Sequence, residues 1–381
     1  MKYISILLVL LALSIQADWR ETTESDSLIE QVEEALVRAG ENKPILEEAL
    51  ESCDPSFLPG LIFLISNSPA INLAIFDKDS LLAEIELAYE TRKIFSWGNE
   101  ISDELFMHYV LPNQVSQEPA TYYRAFFLEQ LRPIVDTLTS GSEAALAVNK
   151  WCGEHVNFKQ TQRQDQGVFH TLSSGYGRCE EMMIVFVSAL RSVGIPAREA
   201  WTPYWATSDN NHAWTELHSD GDWHYAGSCE PSPTLDNAWF SKTSQRAAVI
   251  FSSAFGVPPK GSDILYREKK NYAIINSFPH YADNPAIVEV EVSEDSASIF
   301  LSVFNFGALR PIMRRVAEDN KHPVTFHIGQ GDYILYTGND STFAWEKIHT
   351  EFGDTVKVIL KPEQKKSLDA QAFWLRYPVP E

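Results

Sequence analysis

Gly177-Arg178-Cys179-Glu180-Glu181-Met182-Met183-Ile184-Val185-Phe186 opens the stretch that decides how this chain is read. Gly194-Ile195-Pro196-Ala197-Arg198 and Asn211-His212-Ala213-Trp214-Thr215-Glu216 complete it. Met182, Met183, Val185, Phe186, Ala189 and Leu190 would give one helix a broad buried face with Cys179 in its first turn. Gly194-Ile195-Pro196 ends that helix. Ala197 to Trp201 reads as a strand. Ala213 to Leu217 and Trp223 to Ala226 read as two more, joined through the hairpin signal Asp220-Gly221. The predicted order is polar loop, Cys-headed helix, strand, His-headed strand, hairpin, strand.

That order suits nucleophilic chemistry. At a helix N-terminus the free N–H groups and the helix dipole favour a thiolate, the reactive form of cysteine. The N–H of Cys179 would also point towards an oxyanion formed on its sulfur. His212 follows 33 residues later at the head of a strand, where its ring can face the helix start and take the thiol proton. Alone, either residue is ordinary: a single helical cysteine is usually a small buried hydrophobe, and a single histidine titrates near neutrality without purpose in many proteins. A carboxylate after the strand Trp223-His224-Tyr225-Ala226 could fix the imidazole. Glu230 is the nearest candidate and Asp236 the reserve.

Neighbouring residues are weighed the same way. Trp201, Trp205 and Trp214 suit a strand core or a cleft wall equally. Arg178 and Glu181 read as a helix-surface pair ahead of cleft lining. Tyr176 or Gln166 could donate to the oxyanion, and nothing in the sequence selects between them. Cys229 reads as structural, and His224 as an outward-facing strand residue.

Taken together, Gly177-Arg178-Cys179, Ala189-Leu190-Arg191-Ser192-Val193-Gly194-Ile195-Pro196-Ala197-Arg198 and Asn211-His212-Ala213-Trp214-Thr215-Glu216 resemble the transglutaminase-like core over roughly residues 140–240. That superfamily shares a papain-like Cys-His-Asp arrangement, and includes protein-crosslinking transglutaminases, peptide N-glycanases and many secreted bacterial proteins. The resemblance implies Cys179 as nucleophile and His212 as base. The usual family strand carries an aromatic and then Asp-Pro. Here the fourth residue after Trp223 is Gly227, and the acidic-Pro pair is Glu230-Pro231, three positions later. Either a bulge brings Glu230 into the Asp role, or Asp236 fills it, or the third member is missing. The flanking regions resemble, more loosely, a secreted bacterial multidomain arrangement.

Outside this core, about residues 25–158 read as helical, with apolar patterns at Leu28, Ile29, Val32 and Leu36, and later at Ile45 to Leu50, Leu61 to Ile65, Leu81 to Phe95, Ala120 to Leu131 and Ser142 to Val156. Ser140 and Glu143 have capping-box spacing. Residues 159–176 read as polar and turn-rich. From about residue 284 alternating runs such as Val288-Glu289-Val290-Glu291-Val292 predict a small antiparallel β-sandwich. The expected fold class is therefore α+β. The expected divisions are a signal peptide at 1–17, a helical region at 18–139, the transglutaminase-like domain at 140–283, the sandwich at 284–365 and a tail at 366–381.

Lys2, the apolar run Ile4 to Leu13 and Ser14-Ile15-Gln16-Ala17 have the make-up of a secretory signal cleaved after Ala17, so a secreted or periplasmic location is expected. The run is short for a bilayer, and no later stretch looks able to span one. The net charge of -21, from 31 basic and 52 acidic residues, argues against a nucleic-acid partner. The four cysteines, Cys53, Cys152, Cys179 and Cys229, form no zinc-type spacing. The ten histidines are scattered, so neither a metal nor another cofactor is expected. A Cys152–Cys229 bridge is possible in an oxidising compartment.

Two functions compete. One is a cysteine enzyme acting on amide bonds of a peptide or protein through a thioester on Cys179, with water or an amine as acceptor. The other is a catalytically silent binding or scaffold protein on the same fold. The first is preferred, because Cys179 and His212 both stand in full motif context.

Overall fold

The computed structural model describes residues 18–364 apart from positions 24, 162–163, 269–270, 320 and 340. The expected signal peptide at 1–17 and the tail at 366–381 lie outside the described residues. The chain divides into two units, residues 1–85 and 86–381.

The first unit is helical, with α1 (Trp19–Thr22), α2 (Asp26–Arg38), α3 (Lys43–Ser52), α4 (Leu58–Asn67), α5 (Ala70–Leu73) and the first half of α6 (Lys78–Ile94). The apolar spacing read from the sequence sets what is buried: Val32, Ala35 and Leu36 on α2, and Leu46, Ala49 and Leu50 on α3. Prolines stand in the first turns of α3 and α4, where no intrahelical N–H is required. The Asn42 amide donates to the carbonyls of Leu73 and Phe76, at 2.8 and 2.9 Å.

The second unit holds the core read from the sequence. After α7 (Asp103–Tyr109), α8 (Arg124–Val135) and α9 (Gly141–His155) come β1 (Asn157–Phe158), α10 (Val168–Ser174), β2 (Tyr176–Gly177) and α11 (Cys179–Ser192). Helix α9 begins where expected, with Ser140 Oγ accepting from the Glu143 N–H at 3.3 Å. Helix α10 was not expected in the polar stretch 159–176. It forms because Val168 and Thr171 turn one face inward, and it stops at Gly175 in the left-handed region at φ +72°.

Next come β3 (Ala197–Thr202), β4 (His212–Ser219), β5 (Asp222–Ala226), α12 (Ser241–Ser244), β6 (Phe251–Phe255), β7 (Ile264–Glu268) and β8 (Tyr272–Asn276). They make one antiparallel sheet in the order β5-β4-β3-β6-β8-β7. Its first three strands are those read from the sequence. Helix α11 lies against β3 and β4. Every residue from Glu181 to Ser192 is buried, and Met183, Val185, Phe186 and Leu190 share a core with Phe127, Leu131, Val148 and Leu217. Each such side chain contributes about 1.5–3 kcal/mol on burial, so the Cys-bearing helix is among the most firmly packed elements. Its first residue is fixed in space by the burial of those that follow.

The remaining strands are β9 (Ala286–Val292), β10 (Ser298–Asn305), β11 (Ala308–Val316), β12 (Val324–Ile328), β13 (Gly331–Gly338), β14 (Thr342–Thr350), β15 (Thr355–Leu360) and the short β16 (Glu363–Gln364). They form a five-stranded sheet, β11-β10-β13-β14-β16, and a three-stranded sheet, β12-β9-β15, over a common core that includes Val288, Val290, Leu301, Leu335 and Val358. The alternation in β9 is realised, with Val288, Val290 and Val292 inward and Glu291 exposed. One pairing departs from the antiparallel expectation: β15 runs parallel to β9, from Thr355 opposite Ile287 to Leu360 opposite Val292. Strand β15 reaches β9 from the other sheet rather than through a hairpin, so no tight turn imposes opposite directions. Among the described residues no helix is long and apolar enough to cross a membrane.

Candidate active site

The start of α11 is built by its neighbours. Strands β1 and β2 pair in parallel, Asn157 with Tyr176 and Phe158 with Gly177, and the Lys159 N–H donates to Gly177 O at 2.9 Å. A Cβ on Gly177 would press within about 3 Å of Glu181 Cβ, so glycine lets the chain turn into the helix. Glu181 is fully buried, which corrects the reading of Arg178 and Glu181 as a surface pair. Its carboxylate accepts from the Arg178 N–H at 2.7 Å, from Thr161 Oγ1 at 2.7 Å and from the Gln166 N–H at 3.2 Å. Arg178 Nη2 in turn donates to Asp165 Oδ1 at 2.8 Å and to Glu181 Oε1 at 3.3 Å. One buried carboxylate thus ties the preceding loop to the helix N-terminus.

Cys179 is the first residue of α11. Its Sγ donates to Glu180 Oε2 at 3.2 Å. Burial and then the Glu180 carboxylate push the thiol up to about 12, against the backbone N–H groups of Ala213 and Glu180. The thiolate expected of a helix N-terminus is therefore not the resting state. Desolvation and an adjacent negative charge outweigh the dipole.

His212 is the first residue of β4, opposite Thr202 on β3. The succession His212, Trp214, Glu216 lies on one face of that strand. The imidazole sits in an aromatic box, with ring centroids 4.7 Å from Trp239, 4.9 Å from Phe240, 5.7 Å from Trp214 and 6.5 Å from Trp205. It is 8% exposed, and its Nε2 has no hydrogen-bond partner among the described residues. Burial pulls it down to about 4, so at neutral pH it is an uncharged proton acceptor. The box is braced from behind. Trp214 Nε1 donates to Tyr281 Oη at 2.7 Å, and Tyr281 Oη donates to Glu216 Oε1 at 2.8 Å. Glu216 Oε2 accepts from Arg198 Nε at 2.6 Å and from Ser252 Oγ at 2.8 Å.

A tight turn displaces the third candidate from its expected strand. The Glu230 N–H donates to Gly227 O at 3.2 Å, and Cys229 takes φ +56°. The turn is held by α9: Asn149 Nδ2 donates to Gly227 O at 2.9 Å and to Glu230 O at 3.3 Å. Glu230 Oε2 then accepts from Trp239 Nε1 at 3.0 Å, and burial raises its carboxyl above the usual range. Glu230 therefore reaches the cleft beside His212 but is bonded to the indole that covers the imidazole. Asp236 is engaged elsewhere, accepting from the Tyr225 N–H at 2.9 Å and meeting His224 Nδ1 at 2.6 Å. His224 is partly buried by that contact rather than simply outward.

Cys179, Glu180, His212, Glu230, Trp239 and Gln160 line one cleft of about 550 Å³. A larger cleft of about 1120 Å³, bounded by Ile264, Ile312 and the Arg315–Asp263 ion pair, carries no cysteine. Among the described residues no group of His, Cys, Asp and Glu converges as a metal site. The expected oxyanion donors do not line the cleft. Gln166 contacts Glu181 through its backbone, and Tyr176 packs under Lys159. Gln160, carried past Cys179 by the β1–β2 pair, does line it and was missed, having no motif around it. Trp205 and Trp214 are floor beneath His212 rather than wall, and Trp201 packs on Phe251. The tryptophan on the wall is Trp239, which the sequence reading passed over. Cys152 and Cys229 are both free and buried, with their side chains in hydrogen-bonding contact.

Comparison with known proteins gives a match to one family over part of the chain. Residues 129–226 match the transglutaminase-like superfamily. No curated protein matches the chain in sequence. Among solved structures it is similar to a Cytophaga hutchinsonii protein described as a "putative cysteine protease", at 15% identity and a TM-score of 0.25, over 41% of this chain and 57% of that one. The matched region is thus a little over half the length of that relative.

Proposed function

We propose a cysteine-dependent acyl-transfer enzyme acting on amide bonds of a peptide or protein, for a chain whose residues 129–226 match the transglutaminase-like superfamily. The observation that carries this reading is the shared cleft: the thiol at the head of α11 and, at the head of β4, an uncharged imidazole whose Nε2 has no hydrogen-bond partner among the described residues line the same 550 Å³ space. In this mechanism Cys179 Sγ attacks the carbonyl carbon as His212 takes the thiol proton. The tetrahedral oxyanion meets the N–H groups at the start of α11, with the Gln160 amide within the same cleft. His212 returns the proton to the leaving amine as the C–N bond breaks. The thioester then passes to water or to a second amine. Glu230 orients the imidazolium that forms in between. Export through the segment at 1–17 belongs to the same proposal, and rests on its basic start and apolar run.

Trapping tests this. A peptide amide mixed with the protein and quenched in acid is expected to leave an acyl adduct on Cys179, seen as a mass increase, that Cys179→Ala abolishes and His212→Ala greatly reduces. Absence of the adduct across a broad peptide-amide set would favour the second reading, a silent binding protein. Two features support that alternative: the resting thiol is protonated, and among the described residues no hydrogen bond joins Glu230 to His212.

A further inference from the structure

The charges around the sulfur do not balance. Arg178 is the basic residue of the cleft lining, and it is already held by Asp165 and Glu181. Glu180 and Glu230 face the same cleft, and among the described residues neither takes part in an ion pair. Among the described residues, Glu180 Oε2 accepts only the Cys179 thiol, and Oε1 has Asn211 Nδ2 at the outer limit of 3.5 Å. Two exposed aromatic side chains, Phe158 and Trp239, stand on the rim; aromatic faces attract cations. His212, on the same cleft wall, is held uncharged by burial and so supplies no positive charge to offset the two carboxylates.

We propose that Glu180 selects substrates carrying an ammonium or guanidinium group within a few ångströms of the carbonyl carbon attacked by Cys179. The inference rests on the acyl-transfer reading and deepens it. A cation against Glu180 draws the carboxylate off the thiol and cancels the charge that opposes thiolate formation. The S–H bond then breaks towards His212 as the S–C bond forms, and the proton leaves on the amine nitrogen as the C–N bond breaks. A protonated resting thiol beside a carboxylate is thus the state of an enzyme that waits for a cationic substrate. The cation could belong to the acyl donor or to a second amino group on the acceptor amine; both present the same chemistry to Glu180.

The test uses three small alkylating reagents, 2-bromoethylammonium, iodoacetamide and iodoacetate, with rates at Cys179 divided by their rates on a free thiol. The expected order is cation, neutral, anion, with the cation favoured over the neutral reagent by roughly tenfold, as for a pair about 4 Å apart in a cleft open to water, where screening is close to that of bulk solvent. Glu180→Gln should erase the preference and speed iodoacetamide, whereas Glu180→Asp should retain the preference. Equal normalised rates, an anion preference, or an unchanged order in Glu180→Gln would overturn the proposal. Peptide amides with Lys or Met beside the scissile bond, and a diamine against a monoamine as acceptor, locate the cation; indifference in both arms also overturns it. Charge selectivity without any acyl adduct would sink the enzyme reading, and leave of this inference only a cation-selective pocket beside Cys179. An adduct formed without charge preference would do the reverse.

Discussion

The carboxylate of Glu230 occupies the space that a side chain on Gly227 would need: a Cβ built there overlaps Glu230 Oε2 and lies 3.1 Å from Glu230 Cβ. Residue 227 directly follows the strand expected to present the third group, and residue 230 curls back against it. Gly227→Ala is therefore expected to push a flexible carboxylate aside at small cost in stability, within about 1 kcal/mol. Acyl transfer should fall on the order of 100-fold through misplacement. Thermal unfolding and kcat/KM on one preparation check this; equal activity in the variant would remove Glu230 from the reaction.

The imidazole of His212 is held down to about 4 by burial, against an ordinary value near 6.5. Between these two values the unfolded chain binds a proton that the folded chain refuses. This contribution to stability is complete above pH 6.5 and is lost as the pH falls towards 4, to the extent of about 3 kcal/mol. Histidines 218 and 280 are lowered in the same direction, so the useful quantity is a difference. Wild type minus His212→Phe, followed by denaturant unfolding from pH 7.5 to 4, should decline across that window; a flat difference curve refutes the assignment.

With no substrate, the Cys179 thiol lies at about 12 through burial and Glu180. Its alkylation by iodoacetamide should climb steadily from pH 7 to beyond pH 10 without levelling. Mass spectrometry of the labelled peptide gives the profile. A plateau near neutral pH would mean a resting thiolate and a different arrangement of the site.

Glu216 is buried and paired with Arg198 while it braces Tyr281 and Trp214 below the imidazole. Removing one partner leaves the other charge buried and alone, so Glu216→Ala should destabilise the protein by about 3–5 kcal/mol. Because the change lies behind the aromatic floor, the near-ultraviolet dichroism of the tryptophans should weaken as well. A loss below about 1 kcal/mol would show that water reaches Arg198.

What could be read in advance follows from where information is local. The positions of Cys179 and His212, at a helix start and a strand start that line one cleft, were legible because each start carries its own pattern and the residues between them fix the order. The place of a carboxylate in that cleft was half legible. Glu230 was nameable, but its route, through Cys229 at positive φ and Asn149 on α9, is a tertiary arrangement. Trp239 was illegible, since it stands in a loop and meets His212 only through folding. The state of the thiol was misread: the helix dipole is a local rule, while burial and Glu180 decide the outcome. The parallel pairing of β15 with β9 escaped for the same reason, because strand direction depends on which sheet the chain has come from.

The cleft has jaws of unequal stiffness. On one side His212 begins an eight-residue strand inside a six-stranded sheet. On the other, Phe158 and Gln160 hang on a ladder of two residue pairs, and so short a ladder opens far more readily than a sheet. Amide exchange should be fast at residues 157–160 and slow along 213–217. A polymer chain could then be threaded in sideways by spreading the soft jaw while the base stays registered against the sulfur, so the breadth of accepted sequences would be governed by a ladder four residues in size rather than by the nucleophile itself.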